Sequence, residues 1–133
     1  MSLHLHEGDQ VPIDLTPIWI ETNTRYRALT ENKPGYRCIR WLIEHILDAG
    51  YSKGWFAGTS MYNLLISLPT DRKVDYSNTL RISYNELNQV AEFKLKLNKV
   101  TMWETTCQPS EIVDTLEHFL NEQPDWSSTA RSK

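Results

Sequence analysis

The clearest hydrophobic pattern in the chain lies between residues 36 and 49. Apolar residues recur there at the three- and four-residue spacing of an amphipathic helix, at Ile39, Leu42, Ile43, Ile46 and Leu47. Pro34 suits an early helical position, and Gly50 suits the left-handed cap that follows a helix. The pattern therefore predicts a helix that covers an apolar surface.

Trp41 lies on the opposite, charged face of this predicted helix, together with Arg37 and His45. A large aromatic residue in that position is either covered by another segment or used to bind a partner. Residues 11–21 are rich in apolar residues but contain Pro12 and Pro17, which predicts an extended segment. Two hypotheses stay open: this segment folds across the helix and buries Trp41, or Trp41 contacts another protein.

Strict alternation of apolar and polar residues predicts four strands, at 60–68, 79–84, 90–97 and 100–106. Residues 51–59 are interpreted as a loop or a short strand. A two-residue loop at Asn98 and Lys99 predicts that Leu97 pairs with Val100 and Lys94 with Trp103. A loop at 85–88 predicts pairing of Leu80 with Phe93 and of Arg81 with Glu92. This register places Trp103 beside Lys94 on a polar face and directs Glu104 to the apolar face.

A second helix is predicted over 109–123, with an apolar stripe at Ile112, Val113, Leu116, Phe119 and Leu120. The predicted fold class is α+β, a two-layer sandwich with the order helix, four-stranded antiparallel meander, helix, preceded by the extended N-terminal segment. We expect a flexible N-terminus at 1–10, a single domain at 11–124 and a flexible C-terminal tail at 125–133.

Composition narrows the function classes only moderately. The 133 residues carry a formal net charge of −3, which argues against a basic nucleic-acid binder and makes nucleic acid an improbable partner. No apolar run reaches the length of a membrane span, and the first residues lack the pattern of an export signal. Together with two cysteines, this leads us to expect a cytoplasmic protein.

Charge is unevenly distributed along the chain. Residues 104–125 contain six acidic residues and no Lys or Arg, whereas residues 25–40 contain five basic residues and one acidic residue. The acidic second helix would suit a basic partner.

No phosphate-binding loop, metal-ligand motif or nucleophile motif is present in the sequence. We therefore predict no catalytic residue, no metal site and no cofactor, and expect Cys38 to be a buried, unreactive thiol. The leading hypothesis is a non-enzymatic module that binds another protein, neutralising or chaperoning a basic partner. The candidate contact residues are Arg37, Trp41, His45, Lys94, Trp103, Glu111 and Asp114.

Two alternatives accompany this hypothesis. The first is a small-molecule-binding or enzymatic domain with a pocket between sheet and helices, lined by Trp55, Phe56, Tyr62 and Tyr84. The second is a homodimer that pairs its open sheet faces or edges.

Overall fold

A five-stranded antiparallel sheet forms the centre of the structure, which is a computed structural model describing residues 5–130. The strands are β1 (Phe56–Ser60), β2 (Asn63–Ser67), β3 (Asn78–Asn85), β4 (Val90–Leu97) and β5 (Val100–Cys107), arranged in the order β1-β2-β3-β4-β5. The helices are α1 (Thr16–Leu29), α2 (Arg37–Ala49), α3 (Ile112–Glu122) and α4 (Pro124–Ala130). The predicted α+β class and antiparallel meander are confirmed.

The predicted strand number was wrong. Residues 60–68, taken as one strand, are interrupted by a turn at Met61 and Tyr62, and Phe56–Ser60 pairs with Asn63–Ser67 as a hairpin. Met61 adopts a positive φ of 57°, which alternation of residue types does not reveal. Most of β1 lies in the segment 51–59, for which a short strand was one of the two interpretations but was not counted among the four predicted strands.

The pairing of β3 with β4 differs from the prediction by two residues. Leu80 pairs with Leu95 and Arg81 with Lys94, because Asn85 remains in the strand and pairs with Val90. The Asn85 side-chain oxygen accepts hydrogen bonds from the backbone of Leu87 at 3.0 Å and of Asn88 at 3.1 Å, closing the turn after it. A shift of two residues changes partners but leaves every side chain on its predicted face.

The pairing of β4 with β5 contains a β-bulge that reverses one prediction. Leu97 pairs with Val100, as predicted for a loop at Asn98 and Lys99, whose φ angles of 51° and 70° suit a two-residue hairpin turn. Beyond the loop, Lys96 pairs with Thr101 but Leu95 pairs with Trp103, so Met102 is the extra residue. The predicted pairing of Lys94 with Trp103 is therefore wrong: Lys94 pairs with Glu104, on the face opposite Trp103.

One face of the sheet contacts the helices through aromatic residues. Trp103 packs against Phe119 of α3 at a ring distance of 5.1 Å, and Tyr84 packs against Tyr36, which precedes α2, at 5.3 Å. The apolar stripes of α2 and α3 are buried as predicted except for Leu47 and Val113, which are partly buried, and Gly50 caps α2 with a φ of 83°.

The N-terminal segment predicted as extended is mostly helical. Helix α1 begins at Thr16, and Pro17 lies in its first turn, where no intrahelical N–H bond is required. Its buried face includes Ile18, Trp19 and Tyr26, and the Trp19 indole N–H donates to the Trp55 carbonyl at 2.8 Å. Polar Thr22 and Asn23 are also buried there, which weakens the amphipathic pattern in the sequence.

Both ends of the described chain are ordered against the rest. Residues 5–11 bond to the loop before β3: the amides of Gly8 and Val11 donate to the carbonyls of Val74 and Arg72. Residues Pro124–Ala130 form α4, although the segment from residue 125 onward was expected to be a flexible tail, and the helix buries Trp126. Burial of this indole against α3 explains the difference from the sequence interpretation.

Candidate functional site

Three of the predicted contact residues, Trp103, Glu111 and Asp114, line one groove. The groove has a volume of about 320 Å³ and lies between β5 and α3. We call it the β5–α3 groove; its lining is Trp103, Glu104, Thr105, Glu111, Asp114, Thr115 and His118. The lining contains no Lys or Arg, and its carboxylates are those of Glu111 and Asp114, because the Glu104 side chain lies on the opposite sheet face, 3.8 Å from Lys94.

The chain path explains why β5 and α3 lie side by side. After Cys107 the chain turns through a short 3₁₀ segment at Pro109–Glu111 and enters α3. Because Phe119 then contacts Trp103, α3 runs back along β5, with Glu111 near the end of the strand and His118 close to Trp103. The groove therefore runs beside the middle of β5, at Trp103, Glu104 and Thr105.

The carboxylates of the groove are held by different local contacts. Glu111 accepts a hydrogen bond from the Gln108 amide at 3.1 Å and completes a capping box. Asp114 is exposed in the first turn of α3, where the helix dipole favours a negative charge, and within residues 5–130 it has no ion-pair partner. His118 pairs with Glu122 at 3.0 Å, one turn further along.

Exposed apolar residues lie beyond Trp103, toward the β4–β5 hairpin. Val100 is 59% exposed, Met102 is 58% exposed and Leu97 is 41% exposed. Trp103 itself is half-buried, since it also contacts Phe93 at 6.3 Å. A group of exposed apolar side chains and the acidic β5–α3 groove therefore lie next to each other at the β5 edge of the sheet.

Trp41 lies apart from this groove and remains 48% exposed. The hypothesis that residues 11–21 bury it is wrong, because Ile18 and Trp19 of that segment enter the core instead. Arg37 is exposed on the same helix. These two residues stay candidates for a contact that the structure does not define.

His45 forms an internal contact between helices. Its Nε2 lies 3.0 Å from the Glu117 Oε2, and the Tyr51 hydroxyl donates to the same oxygen at 2.8 Å. The three side chains join α2, the turn after it and α3. The contacts of His45 therefore lie within the fold, where this residue helps to join the two helices.

Lys94 lies on the sheet face opposite Trp103, in a broad groove of about 670 Å³ that includes Arg81, Glu92 and Glu104. Its ammonium group is 3.8 Å from the Glu104 carboxylate. Glu92 accepts a hydrogen bond from the Asn85 amide at 3.2 Å. Acidic and basic groups are mixed on this face, which gives it no dominant charge.

The four residues predicted to line a pocket lie in separate surroundings. Trp55 is fully buried and packs against Trp126 at 5.6 Å, and Phe56 packs against Tyr76 at 5.9 Å. Tyr62 and Tyr84 instead both contact Tyr36. The structure does not bring the four residues together around one cavity.

The thiols lack the features of activated nucleophiles. Burial raises the pKa of the Cys38 thiol to about 11 and also raises the pKa of Cys107, although a hydrogen bond with Thr115 opposes the second shift. Both thiols are therefore protonated near neutral pH. No group of three or more potential metal ligands occurs within residues 5–130, and His4 lies outside them.

Sequence reasoning missed Met102, Val100 and His118 as neighbours of the site. Because the final strand of a meander lies at an edge of the sheet, the sequence could have indicated β5 as the edge strand beside the site. The bulge at Met102 concealed it by reversing the face assigned to Trp103.

Within the described part of the chain, no helix has the length and apolar character to cross a membrane. Comparison of the chain with protein-family models, characterised proteins and solved structures gave no match.

Proposed function

We propose that this protein is a non-enzymatic module that binds another protein, and that a basic segment of the partner occupies the β5–α3 groove. The observation that supports this most strongly is the groove lining itself, in which Glu111 and Asp114 lie with a half-buried Trp103 and no Lys or Arg is present. Tryptophan is enriched at the centre of protein interfaces, and carboxylates at the rim select a positively charged partner.

Acidity also makes the other classes of partner less favourable. Phosphate backbones would be repelled by the Glu111 and Asp114 carboxylates of the lining. We also propose that the helices form one layer on one sheet face, which the contacts Trp103–Phe119 and Tyr36–Tyr84 support.

We also propose a cytoplasmic location, supported by the free thiols of Cys38 and Cys107.

The experiment compares three forms of the protein as affinity baits at low and high ionic strength. Asp114→Lys reverses the charge at a groove residue, whereas Glu31→Lys makes the same charge change at an exposed residue outside the lining. We expect the unchanged protein and Glu31→Lys to recover the same stoichiometric, basic partner at low salt. Asp114→Lys should weaken recovery by about tenfold or more, since like charges placed together cost over about 1.4 kcal/mol.

Salt provides the internal check, because an interaction between exposed charges weakens as the Debye length shortens. Recovery of no stoichiometric partner by any bait, or of one that Asp114→Lys retains at full strength, would contradict the proposal.

A further inference from the structure

We infer that the partner segment binds by strand addition, pairing its backbone with the outer edge of β5 while its basic side chains contact α3. This inference rests on the proposed function and specifies the form of the ligand: an extended segment in which Lys or Arg alternates with other residues.

The first support is the open edge of the sheet. β5 is eight residues long and, among residues 5–130, pairs with β4 alone, so a row of its backbone N–H and C=O groups faces outward. The opposite edge differs, because Glu21, Thr22 and Arg25 of α1 lie beside Gly58 of β1 in a narrow groove of about 130 Å³. An added strand has more room at β5.

The second support is the match between the acidic stripe of α3 and the repeat of a strand. Asp114, His118 and Glu122 follow one another at four-residue spacings, which places them on one side of α3, and Glu111 precedes them at the end of the 3₁₀ segment. From Asp114 to Glu122 the helix rises about 12 Å, at about 1.5 Å per residue. Alternate side chains of a strand recur about every 7 Å, so basic residues two or four positions apart reach successive carboxylates.

The third support is the group of exposed apolar side chains next to the groove. Beyond Trp103, the exposed side chains of Met102 and Val100 continue the same edge toward the hairpin. A partner segment that passes from α3 toward the hairpin would place an apolar residue there. The preferred ligand is therefore basic over most of its length and apolar at one end.

Charge argues against a second copy of this chain as the occupant. Antiparallel pairing of two β5 strands about a two-fold axis would place two α3 helices next to each other on the same sheet face. Asp114 and Glu111 of one copy would then approach the same carboxylates of the other. A basic segment avoids this repulsion and neutralises the groove.

The test uses synthetic eight-residue peptides, the length of β5, with blocked ends. The first alternates Lys with Val, and the second alternates Glu with Val as the charge control. Two further Lys-Val peptides are N-methylated, one on the Lys amides and the other on the Val amides. Because alternate amides of a strand point to opposite edges, each methylated peptide loses the hydrogen bonds of one edge and keeps its charge.

We expect the Lys-Val peptide to bind and the Glu-Val peptide not to bind. One of the two methylated peptides should bind at least about tenfold more weakly than the other, which also reports the strand direction. Amide hydrogen exchange should slow within residues 100–107 in the bound state. Asp114→Lys should weaken binding of the unmethylated Lys-Val peptide, and Glu31→Lys should not.

The outcomes separate this inference from the proposed function. If both methylated peptides bind as well as the parent peptide, strand addition is overturned while charge-directed binding stands. If neither the parent Lys-Val peptide nor either of the methylated peptides binds, both proposals fail. Sedimentation showing a dimer that Met102→Lys and Val100→Lys dissociate would assign the edge to a second copy and overturn the inference.

Discussion

Replacing Trp103 by alanine tests the β-bulge, because the bulge alone decides which face this side chain occupies. Full removal of a buried Trp costs about 3–5 kcal/mol. Trp103 is half-buried and contacts Phe93 at 6.3 Å and Phe119 at 5.1 Å. We therefore expect Trp103→Ala to lower the free energy of unfolding by about 2 kcal/mol, equivalent to a fall in Tm of about 6–8 °C for a domain of this size.

Trp41→Ala is the matched control, since it makes the same change at a site that is 48% exposed on α2. Its expected cost is below about 1 kcal/mol. Urea denaturation followed by far-ultraviolet circular dichroism gives both values without depending on tryptophan fluorescence. If Trp103→Ala cost no more than Trp41→Ala, Trp103 would not pack against the helices and the assigned register would be wrong.

A double-mutant cycle with Phe119→Leu locates the contact. Aromatic pairs contribute about 0.5–1.5 kcal/mol beyond the area they bury, so a coupling energy in that range is expected between the two positions. Additive effects would show that Trp103 and Phe119 do not touch.

Three further predictions follow from the register, the C-terminal helix and the buried thiol. Deleting Met102 should cost no more than about 1 kcal/mol, because Leu95–Trp103 and Lys96–Thr101 then pair without interruption; a urea transition lowered as much as that of Trp103→Ala would contradict the bulge. Ending the chain before Pro124 removes Trp126 from its contacts with Trp55 at 5.6 Å and Phe119 at 5.4 Å, and should cost about 3–5 kcal/mol in the same assay; an unchanged midpoint would show that α4 does not support the core. Burial raises the pKa of the Cys38 thiol from 9.0 to about 11 in the folded state. The stabilisation of the folded state by the protonated thiol is therefore complete below about pH 9 and is lost as the pH rises through 11. Between those values the unchanged protein should lose about 2–3 kcal/mol more stability than Cys38→Ala, and parallel pH profiles of the two proteins would refute this.

Helix α2 and strands β3, β4 and β5 could be predicted from the order of residues alone, because the pattern that specifies each of them is local. The apolar stripe of α2 and the left-handed cap at Gly50 specify a helix and its end, and both are present. The alternation in β3, β4 and β5 and the loop at Asn98 and Lys99 specify an antiparallel meander. The acidic character of α3, on which the proposed function depends, is also a property of the sequence.

Tertiary structure decided the features that depend on contacts between distant residues. Helix α1 forms although its pattern is weak, because Trp19 and Tyr26 gain burial and hydrogen bonds against Trp55 and Tyr62, distant in the chain. Trp126 also turns an expected tail into a helix, because its indole is buried against Trp55.

The bulge shows most directly why the candidate site could not be read from the sequence. A side-chain period of two means that one extra residue moves every following side chain to the other face. Met102 is that residue, and it places Trp103 against α3 and beside the edge groove instead of beside Lys94. Residue types made Trp103, Glu111 and Asp114 candidate contact residues, and the register of β5 decided that the three share one groove.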